Sequence, residues 1–271
     1  MHEQDRNLVT PRLAATAVIL RDGAEGIEAF MVVRHRAIEF ASGALVFPGG
    51  KVDAQDADPA WAELAPARFP AEQRALRVAA AREAFEEAGL VLARRRGSPT
   101  LLTAEDALRL ERYRSPLIRG ETTFFALLRS EGLTLASELM IPFAHWITPE
   151  GLPKRFDTHF FLVAAPVGQR GAHDGSESVD GLWIAPRQAL KDADAGRRTL
   201  VFATELNLKK LARHASVAEA VAATAAAAIV TVMPKVIGRT ATTRTLQIPA
   251  AAGYGVSEVV VAARVPEPGR G

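Results

Sequence analysis

The chain has 271 residues, 48% of them hydrophobic and 24% charged, enough apolar material for a sizeable core. Its 33 Lys and Arg nearly balance 31 Asp and Glu, leaving a net charge of +2 and none of the clustered basic stripe that strong nucleic-acid binders carry. With no cysteine, disulfide scaffolds, thiolate metal sites and cysteine nucleophiles are excluded, so any metal must rest on oxygen or imidazole.

The first residues, 1–7, are polar and partly acidic without the apolar stretch of a signal peptide, and no window approaches the roughly 18 uninterrupted apolar residues of a membrane span. The expectation is a cytoplasmic protein with neither membrane nor nucleic acid as partner. Residues 13–20 and 27–34 are apolar or β-branched runs separated by Arg-Asp-Gly-Ala-Glu-Gly, which predicts two strands and a turn. Residues 44–47 predict a third strand that stops at Pro48-Gly49-Gly50. Residues 51–70 lack periodicity apart from a short helix around 61–64. Residues 71–88 contain no Gly and no Pro and only one β-branched residue, Val78, which predicts a helix started by Pro70 and stopped by Gly89. Thr103 with Asp106 three residues on resembles a capping box and opens a helix over 103–113. Strands are expected at 146–149, 156–163 and 181–184, with a basic turn at Lys154-Arg155 and a helix from Pro186. Residues 203–227 predict two helices broken near His214-Ala215-Ser216, and short strands return over 229–262 around Pro234, Pro249 and Gly253-Tyr254-Gly255. The Ala-rich 218–232 stretch reads as a packed helix followed by a strand, because Glu219 interrupts it. One domain over 1–271 is the simplest account, with a C-terminal extension over about 198–271.

The chemistry concentrates in Arg82-Glu83-Ala84-Phe85-Glu86-Glu87-Ala88-Gly89-Leu90. On a helix, positions i, i+3 and i+4 share a face, so Glu83, Glu86 and Glu87 crowd three carboxylates together. Arg82 reaches Glu86 at i+4, but one guanidinium does not neutralise three carboxylates, whereas a hard divalent cation does. In a chain without cysteine, an all-oxygen site favours Mg²⁺ or Mn²⁺. An anionic diphosphate approaches such a cluster only with a metal between them, so the site reads as one for phosphoanhydride hydrolysis. Gly49 and Gly50, without a Cβ, allow the backbone to come close to that helix or to a ligand.

This segment resembles the box of the Nudix hydrolases: Gly, five residues, Glu, seven residues, then Arg-Glu-U-x-Glu-Glu-x-Gly-U, with U apolar. Its second half matches from Arg82 to Leu90. In its first half Gly50 fits the opening glycine, Asp56 stands where the family has Glu, and 25 residues, 57–81, occupy the space of seven. Long insertions in a loop cost little. Together with Phe47-Pro48-Gly49-Gly50-Lys51-Val52-Asp53, the insertion is similar to the coenzyme A and acyl-coenzyme A diphosphatase branch. So are residues 153–161, the Leu182-Trp183-Ile184 strand and the helix-rich tail. In the coenzyme A signature before the box, Arg34 and residues 43–50 fit, while Glu39 occupies the place of a second Arg and His35 that of a small residue.

The resemblance implies an α+β Nudix fold, a mixed β-sheet sandwiched between α-helices, with a helical C-terminal extension. It implies hydrolysis of a pyrophosphate bond in a nucleoside diphosphate derivative, with Glu83, Glu86 and Glu87 as metal ligands and Arg82 orienting a carboxylate. Glu177 is a candidate for an additional general base. Arg34, Arg36, Lys154 and Arg155 are candidates for phosphate contacts, with Gly49 and Gly50 shaping the pocket. Coenzyme A derivatives, ADP-ribose, dinucleotide polyphosphates and nucleotide sugars all remain open as substrates, as does a non-catalytic nucleotide-binding module. Dimerisation is common among relatives and is an expectation here. No histidine falls in a His-Glu-x-x-His spacing, so all six read as structural, and Trp146 and Trp183 read as core. No Gly-x-x-x-x-Gly-Lys loop or Gly-x-Ser-x-Gly elbow is present.

Overall fold

The computed structural model describes residues 9–34, 43–66, 69–172 and 178–262. Two long strands, β1 (Arg12–Gly23) and β2 (Gly26–Arg34), form the opening hairpin, with Gly26 at φ 118° in the turn. β3 (Ala44–Val46) and β4 (Gly49–Lys51) follow on either side of Pro48. After a 3-10 turn at Ala54–Ala57 come α1 (Trp61–Leu64) and the long helix α2 (Ala71–Ala88). The helix ends as expected: Gly89 is left-handed at φ 64°, its N–H bonds to Phe85 O, and the Leu90 N–H reaches Ala84 O.

Next are β5 (Ala93–Arg95), α3 (Ala104–Leu110), α4 (Arg114–Ile118), α5 (Phe124–Ser130) and β6 (Leu133–Leu135). Thr103 caps α3 with the reciprocal bonds of a capping box: its hydroxyl accepts from Asp106 N–H, and the Asp106 carboxylate accepts from Thr103 N–H. The helix expected over 103–113 continues after Leu110 only as a 3-10 turn, Glu111–Tyr113, before α4 redirects the chain. The remaining elements are β7 (Ile141–Ile147), β8 (Phe156–Ala164), β9 (Ser178–Ile184), α6 (Pro186–Asp194), β10 (Thr199–Leu200), α7 (Phe202–Leu211), α8 (Val217–Ala226), β11 (Thr231–Val232), β12 (Lys235–Arg239), β13 (Thr243–Gln247) and β14 (Glu258–Ala262).

Nine strands make one mixed sheet in the order β10-β3-β2-β1-β8-β7-β11, with β4 also on β1 and β9 also on β2. β1 runs parallel to β8 and antiparallel to β2 and β4. Strand alternation divides the core into two layers. β1 sends Ala15, Ala17 and Ile19 to one face and Val18 and Leu20 to the other. β8 divides Phe161 and Val163 from Phe160 and Leu162 in the same way. The first layer is covered by α2, the Trp61 turn and residues of α3 to α5, and the second by α6, α7, α8 and the tail. α2 is buried on most of its circumference, because α4 and the 3-10 turns at Ala54–Ala57 and Ser137–Leu139 pack on it as well as the sheet.

The inserted segment is anchored rather than looped out. Trp61 is 2% exposed, donates Nε1–H to Gln55 O at 2.9 Å and packs on Phe124 and Phe125 at 5.9 and 5.2 Å. Part of the extra length, residues 71–81, is not a loop at all but the first half of α2.

The C-terminal extension is helical through α8; β12, β13 and β14 then form a separate antiparallel sheet where short strands are expected, with Pro234, Pro249 and the left-handed Gly253 and Gly255 stopping any helix there. The tail is tied to the main sheet by a buried chain of bonds. Trp146 Nε1 donates to Tyr254 Oη at 2.8 Å, and Tyr254 donates to Asn207 Oδ1 at 2.7 Å. Burial pushes the Tyr254 phenol up to about 12, so the hydroxyl remains a donor across the physiological range. Tyr254→Phe is expected to cost about 1–3 kcal/mol, the penalty of stranding buried polar partners, read as a shifted midpoint in urea unfolding; an unchanged midpoint would remove this link from the account. Trp146 is core as expected, whereas Trp183 is only half-buried and lies edge-on to Phe30 at 5.2 Å, with the Arg21 guanidinium 4.3 Å from its ring centre. Among the described residues no helix is long and apolar enough to cross a membrane.

Candidate active site

β4 lies against β1 with Gly50 opposite Ala15 and Gly49 opposite Thr16, and α2 crosses this corner. The closeness of that crossing explains the two glycines. A Cβ on Gly50 would lie 2.3 Å from Glu83 Oε1, and one on Gly49 would lie 2.5 Å from Thr16 Oγ1 and 2.7 Å from Ala15 O. Space, not positive φ, requires glycine at both positions. Gly50→Ala is therefore expected to push Glu83 out of place and lower turnover at least about tenfold, equivalent to about 1.4 kcal/mol of barrier. Comparing its kcat with its melting temperature checks this; full activity would show that Glu83 moves aside without consequence.

Arg82 is the hub. It is 3% exposed, and Asp56, 1% exposed, receives its Nε and Nη2 at 3.0 Å each in a two-pronged pair. Nη2 also reaches Lys51 O at 2.9 Å, while Nη1 meets Glu83 Oε1 at 3.0 Å and Glu86 Oε2 at 2.8 Å. One cation thus fastens the β4 strand, the 3-10 turn and two carboxylates of its own helix. Glu87, 5% exposed, accepts the Gly49 N–H at 3.0 Å. The shorter acid at position 56 therefore has a definite structural role, because its carboxylate sits where it grips Arg82.

Among the described residues, the Arg82 guanidinium pairs with Asp56, Glu83 and Glu86 together, and Glu87 lies at the same corner. Desolvation pushes the Glu83 carboxyl well above its ordinary range; Arg82 opposes this, and the charges of Glu87 and Glu86 add to it. Glu86 is raised for the same leading reason, burial, again opposed by Arg82. A divalent cation fits such a donor set, since hard oxygens with surplus negative charge are what these ions select. Glu83, Glu86 and Glu87 do not form a trio whose oxygens all lie within 4.8 Å of one another; Arg82 binds the first two and the Gly49 N–H binds the third.

Behind the carboxylates, Arg114 secures the end of α2. It is 4% exposed and donates to Glu86 O at 2.7 Å, Ala172 O at 2.6 Å and Glu111 Oε1 at 3.0 Å. Its cation thus lies at the carbonyl end of the helix, where the helix dipole favours it, while Ala172 N–H caps Ala88 O at 2.8 Å. Sequence reasoning missed Arg114, which lies far from the box in sequence and belongs to no motif; only the packing of α4 on α2 brings it there.

The other expected residues divide. Arg34 ends β2 and is half-buried, with its carbonyl accepting Gly43 N–H at 3.1 Å. Lys154 is exposed in the turn between β7 and β8. Arg155 does not suit the phosphate-contact role expected of it. It is 7% exposed, and its guanidinium is engaged by Thr148 O at 3.0 Å, Val9 O at 2.8 Å and Met233 Sδ at 3.7 Å, so it braces the hairpin and the tail. Arg36 and Glu177, like His35 and Glu39, lie outside the described residues.

A known structure with the same architecture is the Nudix hydrolase from Alicyclobacillus acidocaldarius, 30% identical, with a TM-score of 0.67 over 79% of this chain and 96% of that one. The chain belongs to the Nudix hydrolase family. Residues 67–199, which contain the second half of the Nudix box, match the family model of the NUDT19 Nudix domain. Among curated proteins, the putative nudix hydrolase 7 of Caenorhabditis elegans is 32% identical over 63% of this chain and 50% of its own length. The human acyl-coenzyme A diphosphatase NUDT19 is 30% identical over 61% of this chain and 55% of its own. The chain thus spans about half the length of these two curated relatives. Within the Nudix family it resembles the acyl-coenzyme A diphosphatase branch.

Proposed function

We propose that this Nudix protein hydrolyses the pyrophosphate bond of a nucleoside diphosphate derivative, with coenzyme A or an acyl-coenzyme A as the first candidate and Mg²⁺ or Mn²⁺ as the cofactor. The observation that carries the reading is the convergence of Glu83, Glu86 and Glu87 with the Gly49-Gly50 strand around the buried Arg82–Asp56 pair. Glu83, Glu86 and Glu87 are the residues that would hold the metal. When bound, the cation supplies charge neutralisation for the diphosphate and acidifies water.

The chain's own groups do the rest. Arg82 is a positioning residue: buried against Asp56, it holds Glu83 and Glu86 at fixed places on one helix face. The Gly49 N–H fixes Glu87, and the bare Gly50 backbone leaves Glu83 its space at the site. Arg114 keeps the last turn of α2 from fraying, so that the three side chains start from a rigid backbone. Arg34, Lys154 and Arg36 are proposed for phosphate contacts and Glu177 as an additional base.

The test is a panel of coenzyme A, an acyl-coenzyme A, ADP-ribose, dinucleotide polyphosphates and nucleotide sugars with either metal, with products identified. 3′,5′-ADP among the products marks coenzyme A or its esters. Cleavage confined to another compound would move the substrate within the family, and nucleotide binding without metal-stimulated cleavage of any of them would favour a binding module.

A further inference from the structure

The same sheet carries a second group of metal-ligating side chains that the box does not use. Reading across one row, Gly50 of β4 faces Ala15 of β1, Ala15 faces His159 of β8, His159 faces His145 of β7, and His145 faces Thr231 of β11. His159 and Asp157 alternate with Phe160 and share the face of Phe161 and Val163, the face on which α2 packs. The two imidazoles stack at 4.0 Å with 21° between their planes. Both point Nε2 at one carboxylate oxygen: Asp157 Oδ1 lies 2.5 Å from His145 and 3.5 Å from His159. Among the described residues this is the one trio of His, Asp or Glu whose ligand atoms all lie within 4.8 Å of one another.

We propose that His145, Asp157 and His159 form a second metal site, distinct from the Nudix carboxylates, for a borderline divalent transition-metal ion of the zinc class. Three observations support it. First, two imidazole nitrogens and one carboxylate oxygen converge: Asp157 Oδ1 lies 3.5 Å from His159 Nε2, the separation of two ligands on one ion bonded at about 2.0–2.2 Å, while its 2.5 Å contact with His145 Nε2 would open by about 1 Å around the ion, and imidazole selects zinc-like ions over Mg²⁺. Second, His145 Nδ1 lies 2.8 Å from Thr231 Oγ1, an outer partner that would accept Nδ1–H when Nε2 ligates the ion. Without an ion, His145 Nε2 and Asp157 Oδ1 meet at 2.5 Å in a hydrogen bond, which coordination of both atoms would replace. Third, a cavity of about 240 Å³ opens beside both histidines, lined also by Gln73 and Ile229, and gives a fourth coordination position access to solvent.

The two sites occupy opposite ends of one helix. Gln73, in the first turn of α2, lines this cavity, whereas Glu83 lies ten residues on, about 15 Å along the axis at 1.5 Å per residue. An ion here would join β7 to β8 and, through Thr231, to β11, which brings in the C-terminal extension. Its first consequence is stabilisation of that sheet edge.

The experiment uses the full chain in excess Mg²⁺, which occupies the carboxylate site, and titrates Zn²⁺ by calorimetry, with Co²⁺ absorption as a second readout. Expected are one Zn²⁺ equivalent per chain, a visible Co²⁺ band characteristic of nitrogen and oxygen ligands, and a higher melting temperature. His159→Gln and Asp157→Asn, each shown to be folded by circular dichroism, are expected to weaken Zn²⁺ at least tenfold and abolish the band. The double variant Glu86→Gln, Glu87→Gln is expected to retain both signals. Absence of Zn²⁺ binding above the Mg²⁺ background would overturn the proposal, as would folded His159→Gln and Asp157→Asn proteins that bind Zn²⁺ like the parent. Loss of the signals in the carboxylate variant would assign the zinc to the Nudix box instead, and so would overturn it too. None of these outcomes depends on which diphosphate is hydrolysed.

Discussion

Replacing Arg82 with Ala is expected to destabilise the protein by about 3–5 kcal/mol, the cost of leaving buried charge without its partner. Asp56 is 1% exposed and both of its oxygens are held by this one guanidinium at 3.0 Å, so the variant strands a carboxylate in the core. Glu83 and Glu86 lose the same cation and repel each other across one helical turn. At about 2–4 °C per kcal/mol for a chain of this size, the melting temperature should fall by about 10 °C, and activity should fall with it. Thermal unfolding of the variant beside Asp56→Asn checks the attribution. A loss below about 1 kcal/mol, the range typical of surface pairs, would show that the network is solvated and not a hub.

The larger effect on chemistry is expected from Glu87→Gln. The amide nearly preserves the shape of the side chain and can still accept the Gly49 N–H, so the fold should survive. It removes one negative charge from the corner proposed to bring the diphosphate and its metal together. A loss of about 10²–10³ in kcat, or about 3–4 kcal/mol of transition-state stabilisation, is the expected result. The measurement is kcat against metal concentration with an unchanged circular dichroism spectrum. Turnover within about threefold of the parent at every metal concentration would remove Glu87 from the ligand set, whereas recovery only at high metal concentration would assign it the binding of the cation.

Local signals determined a good part of this protein. The Gly-free stretch bounded by Pro70 and Gly89 sets α2 to the residue, and Thr103 with Asp106 sets the start of α3, because caps and stops act over a single turn of chain. The helical spacing of Glu83, Glu86 and Glu87 puts them on one face for the same reason, and Gly49 and Gly50 were legible because only glycine tolerates so close an approach. Family membership rested on these same residues.

What the tertiary structure decided was everything that depends on distant pieces of chain meeting. The short helices α4 and α5 carry little periodicity, and Arg114 acquires its place at the end of α2 only when α4 packs there. Arg155 reads in the sequence as an exposed basic turn; packing buries it against Val9 and Thr148. The Pro and Gly stops that break the tail into short strands are local, but how those strands pair into one sheet is not, and Tyr254 docks on Trp146 across 108 residues of sequence. His145 and His159, fourteen positions apart and outside any linear ligand motif, oppose each other only because the antiparallel register of β7 and β8 pairs them. A sequence specifies which residues share a helical face, since that geometry is local. Which strands become neighbours is settled by burial of the whole core, and so is the charge that each side chain finally meets.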